Sequence, residues 1–350
     1  MGEDQTVVQL GLDTFGDRTI GTDGTPTPYP QVIRDVVAEA ELADRVGVDF
    51  FGVGEHHRDD YAISAPEVVL AAIASRTERM HLGTAVTVLS SDDPVRVYEK
   101  FATLDAVSGG RAEIILGRGS FTESFPLFGF DLQHYEALFE EKIGLLHELL
   151  KEDPVTWQGA LRPPLQDADV FPKTAGGIRT WVGVGGSPES VVRAARYGFP
   201  LVLAIIGGQP ARFAPYVDLY HRALAQLEQP TLPVAVHSPG FIQETDELAR
   251  EILWPHYKTM YDRIGRERGW PETTRDRFES EIEEGSLYVG SPETVAQKMA
   301  DTIRTLGVQR FDLKYTSGPV PHEHLMTAVE LYGTQVMPRV RELLAAQPVP

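Results

Sequence analysis

The chain has 350 residues, 42% of them apolar, a formal net charge of −19 and no cysteine. The composition is that of a globular protein, and its acidity excludes a nucleic-acid binder, because phosphate backbones select basic surfaces. Without cysteine there are no disulfides, thiolate metal sites, iron–sulfur clusters or cysteine nucleophiles.

Two acids and no basic stretch precede the first apolar run, so the N-terminus does not read as a secretory signal. No apolar run approaches the roughly 20 residues that span a bilayer. A cytoplasmic protein is expected, with no membrane contact.

Residues 6–14 (TVVQLGLDT) read as the first strand. Pro30 then opens a helix with Ile33, Val36, Val37, Ala40 and Ala43 on one face, and Gly47 stops it. A strand at 48–55 (VDFFGVGE), a helix from 65 and a strand at 81–89 (HLGTAVTVL) follow. Ser91, Asp92 and Asp93 precede Pro94 at the start of the next helix, which ends near Gly109. Further strands are expected at 111–119, 180–185, 200–206, 232–239 and 310–315. Helices are expected at 133–150, from Pro188 to Tyr197, at 211–228, from about 243, and at 322–336 and 338–346. Strands alternating with helices form right-handed parallel units, and eight of them close into a (β/α)8 TIM barrel.

Two stretches break the rhythm. Residues 151–180 hold Pro154, Pro163, Pro164 and Pro172 and read as an excursion after strand four and its helix. Residues 255–285 follow strand seven, are densely charged, and read either as a mobile lid or as a solvated helical face. No linker splits residues 1–350, so one barrel domain is expected.

In such a barrel the chemistry lies at the C-terminal ends of the strands. That rule selects Asp13 and Thr14, then Glu55-His56-His57, then Ala85-Val86-Thr87, Gly117-Arg118-Gly119, Gly185-Gly186-Ser187, Gly207-Gly208 and His237. A metal site would need three protein ligands. Neighbouring strand residues point oppositely, so His56 and His57 do not share an ion, and no metal is expected. Asp13 with Glu55 would suit a two-carboxylate hydrolase. Against that, Arg118 is the natural ion-pair partner of Glu55 across adjacent strands. His322 and His324, at the start of a helix, read as surface polar residues.

The stretch VGVGGSPESVV joins a strand, a double glycine and a helix start. Gly185 and Gly186 admit close backbone approach, while Ser187, Pro188 and Ser190 suit the first helical turn. Free N–H groups there make an anion site, although plain capping reads the same way. The near copy VGSPETVAQ (289–297) is read as a cap only. There is no GxGxxG and no P-loop, so a nucleotide would bind through one phosphate, as FMN does.

Taken together, FFGVGEHH, the block 82–120, VGVGGSPESVVRAARYGFP, LYVGSPETVAQKM and LYGTQVMPRVRE resemble the bacterial luciferase-like flavin monooxygenases over nearly the whole chain. The resemblance implies a barrel that takes reduced FMN from a separate flavin reductase. Oxygen then adds at the flavin C4a, and the peroxyflavin oxidises a small organic substrate. His56 matches a catalytic histidine of that family, with proton transfer as its role near neutral pH. Glu55 would pair with His57. Ala85-Val86 match a non-proline cis peptide beneath the flavin ring. Arg118 matches an arginine near the phosphate and ribityl chain, and Gly186, Ser187 and Ser190 match the phosphate-binding helix start. Position 186 is acidic and 190 is threonine in the luciferase pattern; positions 117 and 121 also differ, so substrate handling should differ. Light emission is not expected. The family side formed by the second and third helices implies a homodimer. Alternatives are a reductase or dehydrogenase using F420 or flavin, and a non-catalytic flavin binder.

Overall fold

The computed structural model describes residues 8–21 and 23–346. Eight parallel strands close into a barrel: β1 (Gln9–Thr14), β2 (Phe50–Val53), β3 (His81–Thr84), β4 (Ala112–Gly117), β5 (Arg179–Val184), β6 (Leu201–Ala204), β7 (Val234–Ile242) and β8 (Arg310–Lys314). Each pairs with the next, and β8 pairs back with β1 from Gln9↔Arg310 to Asp13↔Lys314. The expected fold is the observed one. Residues 6 and 7 of the expected first strand lie outside the described residues.

Helices α1 (Tyr29–Arg45), α2 (Pro66–Ala74), α3 (Pro94–Ser108), α4 (Tyr135–Leu149), α5 (Pro188–Arg196) and α6 (Ala214–Gln226) return the chain between strands. The start of α3 follows the sequence closely: Asp93 Oδ1 accepts from Val95 N at 2.9 Å and Pro94 takes the first turn. Among the described residues, no helix is long and apolar enough to cross a membrane.

The interior of the barrel is not uniformly apolar. Phe50, Ile115, Trp181, Val202 and Ala235 pack together inside it. Beside them a guanidinium is fully buried: Arg310 Nη1 donates to Glu113 Oε2 at 2.7 Å and Nε donates to Asp312 Oδ1 at 2.8 Å. Trp181 Nε1 also donates to Glu113 Oε2, at 3.0 Å. Burial would raise the Glu113 pKa, but Arg310, His81 and Arg179 hold it down to about 2. Asp312, in contrast, is pushed up to about 6 by burial despite Arg310. Gly11 makes room for this network, since a Cβ there would stand 2.2 Å from Asp312 Oδ1.

Several details depart from the sequence reading. β2 ends at Val53, two residues short of Glu55, because His56 N donates to Ile63 O within its own loop instead of extending the ladder. The 151–180 excursion contains an antiparallel hairpin, Val155–Trp157 with Leu165–Ala168. Most of 255–285 is helical: α7 (Asp246–Arg268) and α8 (Arg275–Glu283), the latter burying Phe278 and Ile282. A short strand unforeseen from the sequence, Tyr288–Gly290, pairs in parallel with Gly240–Ile242 at the end of β7. The capping expectation just after it holds, with Ser291 Oγ accepting from Thr294 N at the start of α9 (Pro292–Leu306). His322, read as a surface residue, is half-buried at the start of α10 (His322–Leu331). Its Nδ1 lies 2.7 Å from Oε1 of the buried Glu39.

Removing one member of a buried ion network costs far more than the network contributes net. Arg310→Met strands Glu113 and Asp312 as buried carboxylates. It is expected to lower unfolding free energy by about 3–5 kcal/mol, read by urea denaturation at neutral pH.

Candidate active site

The loop after β2 carries the Glu-His-His triplet. Glu55 Oε1 lies 2.8 Å from His57 Nε2, and Glu55 Oε2 accepts from Val88 N at 3.3 Å. With these bonds in place, His57 meets Phe128 edge-on at 5.1 Å. His56 faces the other way. Its ring contacts Phe15 at 5.0 Å, Tyr61 at 4.4 Å and Phe121 at 4.9 Å. Its side chain retains 11% exposure, and the nearest acid, Glu123, is 3.9 Å from Nδ1. Burial drives the His56 pKa down to about 3, with the Asp17 charge opposing and Lys314, Arg58 and His57 assisting. His56 is therefore a neutral imidazole at physiological pH, not the group titrating near neutrality that the sequence suggested.

Beyond β3 the Ala85–Val86 peptide is cis. The Val86 side chain lies against β4 and β5 at Gly117 and Gly183. At the end of β5, Gly186 has φ +111°, a conformation that a side chain would strain. Its carbonyl accepts from Tyr216 OH at 2.7 Å. Ser187 Oγ accepts from Ser190 N at 3.4 Å and donates to Glu189 at 2.8 Å, so Ser187 is a working cap at the start of α5. Arg193, one turn later, donates from Nη1 to Ser190 Oγ at 3.2 Å and from Nε to Glu140 at 2.7 Å.

Arg118 extends from β4 toward the same place. It pairs with Glu136 and lies over the Tyr135 ring. The expected Glu55–Arg118 pair does not form. Glu136 on α4 competes successfully for Arg118, and His57, two residues from Glu55 on the same loop, satisfies that carboxylate. Glu136 also lies 3.4 Å from Arg193 Nη2, so both arginines converge beside the start of α5.

The opposite wall is formed by β7, β8 and β1. His237 Nδ1 lies 2.7 Å from Asp13 Oδ2, and the Asp13 carboxylate is 1% exposed. Its other oxygen, Oδ1, has no hydrogen-bond partner among the described residues. Lys314 lies over Phe15 at 4.6 Å, 3.2 Å from Asp17, and donates to Thr316 O. Phe15 also stacks on His237 at 6.0 Å.

The end of α7 reaches across this mouth. Arg58 Nη2 donates to Glu267 Oε1 at 2.7 Å, and Arg263 pairs with Asp59 and Asp60. Arg268 donates to Ser120 O at 3.1 Å and lies over Phe121, which Arg58 also covers at 4.7 Å. Phe121, one wall of the His56 pocket, is thus held under two arginines. Among the described residues, no group of three or more His, Asp or Glu side chains is placed to hold a metal ion.

The residues named from the sequence gather into two neighbouring groups, Glu55 with His56 and Ala85-Val86 with Arg118, Gly185, Gly186, Ser187 and Ser190. Arg193, Phe15 and Tyr61 were not foreseen. Arg193 had a local signal, standing three residues after Ser190 on a helix. Phe15 had none, because only the pairing of β1 with β2 brings it to His56, and Tyr61 reaches the ring because the loop after β2 folds back on itself, His56 N donating to Ile63 O.

The luciferase-like monooxygenase family model matches residues 16–310. A 4-hydroxyprotoasukamycin monooxygenase of Streptomyces nodosus subsp. asukaensis is 32% identical over 162 residues, 45% of this chain and 44% of that protein. The matched stretches of the three foremost curated relatives span 37%, 44% and 50% of their lengths. In fold, the chain resembles the FMN-bound oxygenating constituent of 3,6-diketocamphane monooxygenase from Pseudomonas putida. The TM-score is 0.78 at 17% identity, covering 95% of this chain and 99% of that one. It also resembles an F420-dependent secondary alcohol dehydrogenase, with TM-score 0.75 at 16% identity and the same coverages.

The depressed pKa of His56 has a stability consequence. The unfolded chain takes up a proton below the ordinary histidine value of about 6.5, while folded His56 does not until about pH 3. The stability tied to neutral His56 is therefore full above about pH 6.5 and is lost as pH falls from there. His56→Gln should reduce the pH slope of unfolding free energy between pH 6 and 4 by about 1.4 kcal/mol per pH unit. Chemical denaturation across that range reads it directly.

Proposed function

Because the chain belongs to the luciferase-like monooxygenase family, we propose that it is an FMN-dependent monooxygenase that oxidises a small organic substrate with O2. Reduced FMN would come from a separate flavin reductase. The observation that carries this reading is the convergence of Arg118, Arg193 and Ser190 at the start of α5, beside the Ala85–Val86 shelf and near His56.

These residues fit a phosphorylated flat ring. The start of α5 offers N–H groups to one phosphate, and the backbone at Gly185 and Gly186 admits close approach. Arg118 and Arg193 would exchange their carboxylate partners on α4 for phosphate oxygens, an exchange of like for like in charge. Ala85 and Val86 would support the ring. When bound, reduced FMN would supply the two electrons and the carbon centre that activates O2.

The chain's own residues do the rest. Neutral His56 would offer one N–H donor and one ring-nitrogen acceptor at the mouth, within an aromatic enclosure that limits water. Glu55 and His57 brace the loop that carries it. Phe121, covered by Arg58 and Arg268, closes the top of that enclosure.

The second reading is an F420-dependent reductase or dehydrogenase on the same scaffold. F420 carries a long acidic tail and would need further cations along the mouth, beyond those at the start of α5. Arg58 is engaged by Glu267 and Asp60, and Lys314 by Asp17, so FMN is favoured. A homodimer through α2 and α3 belongs to the proposal, supported by Val68 and Val107, which stay exposed on those helices. So does a cytoplasmic setting, where reduced flavin is made.

Anaerobic titration with reduced FMN, and in parallel with reduced F420, tests this reading. Tight FMN binding is expected, and an oxygen pulse should then produce a transient absorbance distinct from reduced and oxidised FMN. Preferential F420 binding, or reoxidation indistinguishable from free flavin, would sink it. Arg193→Ala and Arg118→Ala should each weaken reduced-FMN binding by roughly tenfold or more, the worth of a hydrogen bond to a charged group.

A further inference from the structure

A monooxygenase mouth needs a proton donor, and neutral His56 carries no imidazolium proton to give. The wall opposite the flavin shelf carries a second imidazole with different surroundings. The shelf and the phosphate cradle occupy the ends of β3, β4 and β5, whereas Asp13, His237 and Lys314 belong to β1, β7 and β8 across the barrel.

We propose that His237, oriented by Asp13, is the substrate-facing acid of this site, and that the substrate presents a carbonyl or carboxylate oxygen, attached to an apolar body, to its Nε2–H. This rests on the monooxygenase reading for the reaction served, but not for the chemistry of the pair itself.

The geometry carries it in three steps. First, Asp13 Oδ2 lies 2.7 Å from His237 Nδ1, which fixes the proton on that nitrogen and turns Nε2 outward. Among the described residues Nε2 has no hydrogen-bond partner, and the His237 side chain keeps 11% exposure while Asp13 keeps 1%. The pair is therefore buried, with the small residual exposure on the His237 side rather than on Asp13.

Second, the groups facing His237 are named and few: Asp13 from β1, and Asp312 and Lys314 from β8. Burial lowers the His237 pKa, but the Asp13 charge and hydrogen bond outweigh it, with Asp312 assisting and Lys314 opposing, and the net direction is upward. Burial thus favours the neutral imidazole on one wall, and the Asp13 carboxylate favours the imidazolium on the other. Opposed environments of this kind separate an acid from a base.

Third, Phe15 touches both imidazoles, edge-on to His56 and stacked on His237, so an apolar surface joins the two groups. The nearby cation, Lys314, is already engaged by Asp17 and Thr316, which leaves His237 as the free donor on this wall. An oxygen acceptor beside an apolar body fits that arrangement, and a cationic substrate does not. In the acid step the proton moves from Nε2 to the substrate oxygen and the N–H bonding pair stays on the ring. The neutral imidazole remains hydrogen-bonded to Asp13 through Nδ1–H until water returns the proton.

The test uses the full chain without flavin, with benzoate as probe and benzylamine as control. Nitrogen-15 NMR titration should show the His237 ring protonated at pH 7 while His56 is neutral, and Asp13→Asn should shift the His237 midpoint to lower pH. Benzoate should bind the wild type more tightly than benzylamine. Its affinity should drop at least tenfold in His237→Gln and in His237→Asn, and should decline as pH rises through the His237 midpoint. A neutral His237 at pH 7, a benzoate affinity unchanged by both substitutions, or no saturable benzoate binding to the wild type would each overturn the proposal. Reduced-FMN titration of the same proteins separates the two readings. Wild type that ignores reduced FMN sinks the monooxygenase reading alone, and the NMR and benzoate results still judge His237.

Discussion

A guanidinium with no exposure holds the barrel together from the inside. Arg310 sits on β8, reaches Glu113 on β4 and Asp312 two residues along its own strand, and lies over the Phe50 ring of β2 at 3.5 Å. A charge taken out of water must be neutralised locally, and this one is neutralised across the barrel. Everything above depends on that geometry. Asp312 stands beside Asp13, and Asp13 holds His237. Gly11 stays without a side chain because the Asp312 carboxylate fills its place.

From that base the mouth divides electrostatically. On the β3–β5 side, two arginines and the start of α5 make a cationic rim whose charge is balanced by Glu136 and Glu140. On the β7–β1 side, His237 and Lys314 are each matched to a buried acid, Asp13 and Asp17 respectively. His56 stands between these groups without a hydrogen-bonded acid of its own. The same residue type thus acquires opposite shifts in proton affinity on either side of Phe15, chiefly through burial at His56 and through a paired carboxylate at His237.

The charged stretch at 255–285 belongs to the same arrangement. Its acids and bases do not form a uniformly solvated face. Glu267 and Arg263 cross to the loop after β2, and Arg268 crosses to the loop after β4. Isolated surface pairs contribute little stability, so the consequence of this cluster is positional. It settles Phe121 over His56 and sets how the mouth is covered.

The order of elements, the barrel closure and the loops that bear the chemistry were legible because they are local: period-two and period-3.6 patterns, prolines at helix starts and a serine cap leave marks a few residues apart. Glu55–His57 was legible for the same reason, being two residues apart on one loop. What failed were pairings between distant segments. Arg118 was matched with Glu55 as if their strands were adjacent, but β3 lies between β2 and β4, and Glu136 on α4 pairs with Arg118 instead. The three-residue strand at Tyr288–Gly290 is too short to show a period. The aromatic enclosure of His56 draws on residues 15, 61 and 121, and the Asp13–His237 bond spans 224 positions. The sequence by itself determined which groups stand at the strand ends. Only the tertiary structure decided which of them are charged, because proton affinity depends on burial and on neighbours that chain closure brings together.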